Sequence, residues 1–127
     1  MQFHTTLRNM RVDQISIFVG PGARVRVYTA GYALLLAECV GSLIAFANAG
    51  VGGVLTVNQI ADGVAVADGD AALARVYQAD GSTLAMTGIT VSDTSGSGQL
   101  QLDQVGVAVV TGQIVVVDTL RLQEGNA

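Results

Sequence analysis

The chain contains no lysine and no tryptophan, and it has one cysteine, one proline and one histidine among 127 residues. Each scarcity closes off a kind of chemistry. Nucleic-acid binding by phosphate neutralisation needs several cations gathered on one face. Six arginines against ten acids, with a net charge of −4, do not supply them, so no nucleic-acid partner is expected. Cys39 has no second cysteine to pair with, and its place in the apolar run Ala33–Val40 reads as a buried, inert thiol. His4 lacks the further histidines or ligand-spaced cysteines that a metal site requires. As the sole imidazole, in a loose leading segment, it is also a poor base for nucleophilic catalysis. Asp62, Asp68 and Asp70 crowd one stretch without the spacing or closing glutamate of a calcium loop, and they read as turn formers. Gly50-Val51-Gly52-Gly53 lacks the Gly-Lys-Ser/Thr ending of a phosphate loop. No catalytic set, metal or cofactor is read from the residues, and the chain is not expected to be an enzyme.

Charge of either sign is scarce as well. Charged residues make up 13% of the chain, about half the usual ~25% of globular domains. Half of the residues are apolar, and mean hydropathy is +0.51. A domain this small has much surface to cover, so either Gly, Ser, Thr, Gln and Ala make up a quiet polar surface or, the favoured expectation, part of that surface is buried against other subunits. With few aromatics, the core is expected to be built from Val, Leu, Ile and Ala. The longest uncharged run, Cys39–Ala61, is broken by glycines and by Ser42, Asn48, Asn58 and Gln59. It reads as strand-turn-strand rather than a spanning helix. The opening Met-Gln-Phe-His-Thr-Thr does not read as a secretory leader, and no membrane partner is expected.

What is present is mostly strand pattern. One helix is predicted over Thr5–Val19, with Leu7, Met10, Ile15, Ile17 and Phe18 on one broad face and Asn9, Asp13 and Ser16 opposite. Thr5 or Thr6 can cap it, and Gly20-Pro21 stops it. Arg8 and Arg11 flank the apolar face, where their stems can pack and their heads can reach a partner. From Ala23 to Tyr28 the period changes to two, placing Val25 and Val27 inward and Arg24 and Arg26 outward. Thr29-Ala30-Gly31 turns the chain into a more buried strand over Ala33–Val40. Further strands are predicted over Val54–Ile60, Ala71–Gln78 and Ser82–Val91. Leu73, Arg75 and Tyr77 share one face of the second of these. Asp80-Gly81 closes its hairpin, and Gly88 marks a possible bulge. Ser92–Gly98 reads as the most flexible loop.

The last pair, Gln99–Val110 and Gln113–Leu122, meets at Thr111-Gly112 and reads as the centre of the fold. Ile114, Val116, Leu120 and Leu122 point one way, and Val115, Val117, Thr119 and Arg121 the other, with Asp118 the exception to the alternation. The pattern predicts one domain over residues 1–127, ending in a short polar tail. Its expected fold is mainly β, an antiparallel sandwich or barrel of about seven to eight strands with one N-terminal helix.

Several short motifs also resemble a group of small structural proteins of tailed bacteriophages. They are Thr5-Thr6-Leu7-Arg8-Asn9 followed by Arg11, Asp13 and Ile15, the Val25–Tyr28 strand, and Arg75-Val76-Tyr77 before Ala79-Asp80-Gly81. Met86-Thr87-Gly88 and the closing Gly125-Asn126-Ala127 complete the set. The chain departs from that group in lacking a tryptophan in the strand before Arg75, where Val54–Ile60 must take its place. The resemblance implies a virion component made in the bacterial host cytoplasm, foremost a capsid cement or decoration protein on the outer surface of the head. Its implied partners are the major capsid protein and further copies of itself, as a dimer or trimer. Thr5, Leu7, Arg8 and Arg11 are the candidate assembly contacts. A tail- or baseplate-associated protein is the alternative, followed by a host-surface or glycan-binding module.

Overall fold

A computed structural model describes residues 5–42, 47, 54–57 and 59–123. The helix α1 spans Thr5–Val19, as its periodicity predicts. Among the described residues eleven strands follow: β1 Arg24–Tyr28, β2 Leu35–Val40, β3 Val54–Thr56, β4 Gly63–Val64, β5 Gly69–Asp70, β6 Leu73–Tyr77, β7 Leu84–Asp93, β8 Leu100–Leu102, β9 Ala108–Val109, β10 Ile114–Val115 and β11 Val117–Gln123. The fold is mainly β, a curled seven-stranded sheet with one short N-terminal helix. Strand order in the sheet is β2-β1-β6-β7-β8-β11-β3, and two-stranded ladders β10-β4 and β5-β9 accompany it. His4 lies outside the described residues, as do most of the Leu43–Gly53 stretch and residues 124–127.

Period two builds the core. Val25, Val27, Ala74 and Val76 alternate inward from β1 and β6, where Val25 pairs with Val76 and Val27 with Ala74. Leu55, Ile89, Leu100, Leu102, Leu120 and Leu122 continue the apolar layer across the other strands. The short ladders add Val109 and Val115 to the same cluster. Each fully buried Val or Leu contributes about 1.5–3 kcal/mol relative to exposure. Among the described residues Tyr28 is the one aromatic in the buried set, in keeping with the aliphatic core expected from composition.

Three departures from simple alternation correct the sequence-based expectations. In β2 the pairing shifts between Val27 and Tyr28, from Val27↔Ala37 to Tyr28↔Leu35. Leu36 and Ala37 are consequently both buried. In β11 the pairing shifts between Val117 and Thr119, so Asp118 is the extra residue of a bulge. Upstream of it Val115 is buried and Ile114 is 62% exposed; downstream, Leu120 and Leu122 are buried. The expected common face for Ile114 and Leu120 is therefore not formed. The Gln99–Leu122 hairpin also divides. The part far from the Thr111-Gly112 turn pairs β8 with β11, whereas beside the turn β9 bonds β5 and β10 bonds β4.

The third departure is a parallel pair in a sheet expected to be antiparallel. β7 and β8 run parallel, with Val91↔Leu100 through Asp93↔Leu102. Parallel neighbours ordinarily need a crossover of about a dozen residues or more. Here residues 94–99 suffice because the chain folds back against itself. The Gly98 amide donates to Ser92 Oγ at 2.9 Å, and a Cβ at Gly98 would lie 2.7 Å from the Ser92 nitrogen. Asp93 accepts from the Ser95 amide and from the Gly106 amide at 2.8 Å. The Ser92–Gly98 loop, predicted to be the most flexible, is thus fastened at both ends.

The exposed backbone edge of β2 is covered by its own chain. The Ala61 amide donates to the Val40 carbonyl and the Val66 amide to the Leu36 carbonyl, each at 2.8 Å. This blunts an edge that otherwise invites pairing with another molecule. The close approach depends on Gly63, where a Cβ would sit 2.9 Å from Cys39 Sγ and nearer still to the Glu38 carbonyl oxygen. Gly63→Ala is expected to destabilise the protein by about 1–3 kcal/mol, because backbone must move to admit one methyl. A lowered urea midpoint with an unchanged m-value would show it; an unchanged midpoint would refute the packing account.

Candidate functional site

The polar face of β2, β1, β6 and β7 gathers most of the chemistry in the described residues. Burying alternate residues of β1 and β6 leaves Arg24, Arg26, Arg75 and Tyr77 on the opposite face. Across the strands Glu38 pairs with Arg26, and Arg26 pairs directly with Arg75. Like charges placed opposite one another repel, and the two guanidinium groups turn apart. Arg26 Nε donates to Glu38 Oε2 at 2.6 Å, and Arg26 Nη2 donates to the Gly81 carbonyl at 2.9 Å. Its guanidinium lies 4.3 Å from the centre of the Tyr77 ring. Arg24 Nη1 donates to the other carboxylate oxygen, Glu38 Oε1, at 2.7 Å.

Arg75 turns the other way. Its guanidinium sits 3.9 Å from the centre of the Tyr32 ring and 5.5 Å from that of Tyr28. Tyr28 and Tyr32 meet edge to face, with centroids 5.5 Å apart. Tyr32 has φ +58, a left-handed conformation that is uncommon for a residue with a side chain. It is held there by its hydroxyl, which accepts from Thr87 Oγ1 at 2.9 Å and from the Gly88 amide. Gly88, at φ +77, sits at the irregularity in the β6–β7 pairing, where a bulge was predicted. All three tyrosines of the chain therefore lie around two arginines.

The protonation preferences follow from these contacts. Burial alone would raise Glu38, but hydrogen bonds from Arg26 and Arg24 outweigh it and hold the carboxyl below its ordinary value of 4.5. The hydrogen bond to Glu38 raises Arg26 in turn. Burial raises Tyr28, whereas the hydrogen bond from Thr87 lowers Tyr32.

A polar cleft of about 430 Å³ opens over β8, β11 and β3, lined by Val54, Gln99, Gln101, Thr119 and Arg121 together with Ser97 and Gly98. Its amides are largely engaged. Gln99 Oε1 accepts from the Thr90 amide while Thr90 Oγ1 accepts from the Gln99 amide, and Gln101 Nε2 donates to the Gly96 carbonyl.

Of the aspartates read at turns, Asp80 and Asp68 hold them, whereas Asp70 lies in β5. Asp80 accepts from the Ser82 and Thr83 amides and from Thr83 Oγ1, which lowers its carboxyl to about 2. Asp68 accepts from the Thr111 amide at 2.6 Å and from its hydroxyl at 2.8 Å. Among the described residues no group of three or more His, Cys, Asp or Glu is placed to hold a metal ion. Among the described residues no helix is long and apolar enough to cross a membrane.

The predicted assembly contacts fall on α1. Leu7 is 43% exposed. Thr5, Arg8 and Arg11 lie within the helix, but their side chains are outside the described part. Of the five residues in the broad apolar face read from the sequence, only Ile15 packs against the core. At 3.6 residues per turn, Leu7, Met10, Ile17 and Phe18 fall within an arc of about 100°. All four are exposed, Ile17 the most at 71%. The helix is anchored instead by buried Val19 and by Ile15, and Gln78 Nε2 donates to the Phe18 carbonyl at 2.7 Å. The sequence reading placed Arg24 and Arg26 outward and put Arg75 and Tyr77 on one shared face, but did not gather them into a site. The alternation was the available signal; the position of Tyr32 had none.

Comparison with protein-family models, curated proteins and solved structures found no match.

Two expectations follow. Glu38→Gln should cost about 0.5–1 kcal/mol at neutral pH. A depressed carboxyl stabilises the fold above its unfolded value and loses that contribution as pH falls through its folded value. The difference between wild type and variant should therefore shrink below about pH 4.5, and denaturant titrations across that range test it. Cys39 is fully buried and pushed up to about 11, mainly by burial. It should react with a thiol reagent only as fast as the protein opens; rapid native-state labelling at pH 8 would contradict this.

Proposed function

We propose that this protein is a structural component of a tailed-phage virion, a capsid cement or decoration protein that binds the outside of the head and stabilises contacts between major capsid subunits. The observation that carries the reading is the exposed stripe on α1, where Leu7, Met10, Ile17 and Phe18 face away from the protein's own core. Apolar surface of this kind gains by being covered, and the chain has few charges with which to keep it wetted. Exposed Val64 and Ile114, paired across β4 and β10, add a second apolar spot. Repeated over many copies, modest contacts of this sort become effectively permanent through multivalency. The motifs Thr5–Asn9 and Arg75–Tyr77 support the virion assignment by resemblance. In this reading further copies of the chain, as a dimer or trimer, share the lattice of contacts. The curled sheet is read as a barrel-like body, its β2 edge closed by Ala61 and Val66.

Quantitative mass spectrometry of purified particles tests the proposal. Copies in the hundreds, released together with a loss of heat or osmotic resistance, are expected. A handful of copies travelling with tails would instead favour the tail or baseplate reading. Ile17→Gln with Phe18→Gln, both at exposed positions, should leave the fold intact and weaken capsid binding at least tenfold. Unchanged binding would remove α1 from the interface.

A further inference from the structure

We infer that Arg75 and its tyrosine frame form a docking point for a carboxylate side chain of a partner protein segment. The first argument is charge. Arg24, Arg26 and Arg75 stand on one sheet face with a single acid, Glu38, and both of its oxygens are already taken by Arg24 and Arg26. The face thus carries two uncompensated positive charges on a chain whose net charge is −4. Among the described residues Arg75 makes no ion pair; it faces neutral groups only, with a long 3.4 Å contact from Nε to Thr87 Oγ1 and the Tyr32 and Tyr77 hydroxyls beside it. No carboxylate among the described residues takes its η nitrogens, and a guanidinium presents them in a fork that matches a carboxylate in two parallel bonds.

The second argument is that the frame is built at a cost. Tyr32 is held in a left-handed conformation, and β7 is bulged at Gly88. Such strain persists where surrounding contacts over-determine it, as they do at binding sites. Here Thr87 and Gly88 fix the Tyr32 hydroxyl, and the ring then fixes the guanidinium. Arg75 is only half exposed, so it is preorganised and loses little freedom when it binds.

The third argument concerns the kind of ligand. Small molecules are taken into concave pockets, and Arg75 lies on a sheet face, not in the cleft beside Arg121. Arg and Tyr clustered on such a surface are the residues that anchor protein–protein contacts. The site is independent of the α1 stripe and of the virion assignment, and it stands or falls by itself.

The chain offers a selective probe. It has no tryptophan, and its three tyrosines all belong to this cluster, so tyrosine fluorescence reports on this face alone. The intact protein is titrated with capped hexaglutamate, with capped hexaglutamine and with inorganic phosphate. A saturable change with hexaglutamate in the millimolar range or tighter, weakened by salt and absent with hexaglutamine, is expected. Arg75→Gln should weaken the response about tenfold or more, and Arg75→Lys severalfold, because the fork is lost though the charge remains. Arg121→Gln should leave it unchanged. An equal response to hexaglutamine, a response to phosphate as strong as to hexaglutamate, or none with natively folded protein would each overturn the inference. The wild-type comparison decides the matter even if an Arg75 variant fails to fold.

Discussion

The constraint on which the rest of the structure depends is the in-and-out alternation of β1 against β6. Burying Val25, Val27, Ala74 and Val76 between them leaves the polar face no choice of residues. Arg26 and Arg75 must then face each other across a strand spacing of less than about 5 Å. Two like charges that close need partners, and the solution is asymmetric. Glu38 neutralises Arg26, and the tyrosines take Arg75. The left-handed Tyr32 and the bulge at Gly88 complete the frame around Arg75.

A second theme is how the chain manages surface with so few charges. Part of the answer lies in backbone geometry. The Ala61–Val66 segment covers the β2 edge, and the aspartates spend their oxygens on the amides and hydroxyls of turns. The other part is left unresolved within the single chain. The α1 stripe and the Val64–Ile114 pair remain open. A chain that blunts one sheet edge yet leaves an apolar helix stripe uncovered has divided its surface into parts that repel and parts that invite contact.

Much of this was legible in the residues. The bounds of α1, the outward arginines, the Asp80-Gly81 hairpin and the bulge at Gly88 all follow from local periodicity and turn chemistry. The Asp118 exception in the alternation was visible too. Its meaning was not, because a bulge is a relation between two strands and the sequence shows only one at a time.

The sequence by itself determined the mainly β character, the aliphatic core and the split of β1 and β6 into apolar and charged faces. These depend on side-chain chemistry and a two-residue period, which are local. Only the tertiary structure decided that the helix turns Ile15 and Val19 inward and its broader apolar stripe outward. Periodicity describes a face without saying what lies opposite it. The same holds for the parallel β7–β8 pair and for Tyr32 reaching Arg75, which join residues through long-range packing. Such contacts are chosen by how the whole sheet curls, and no window of neighbouring residues contains that information.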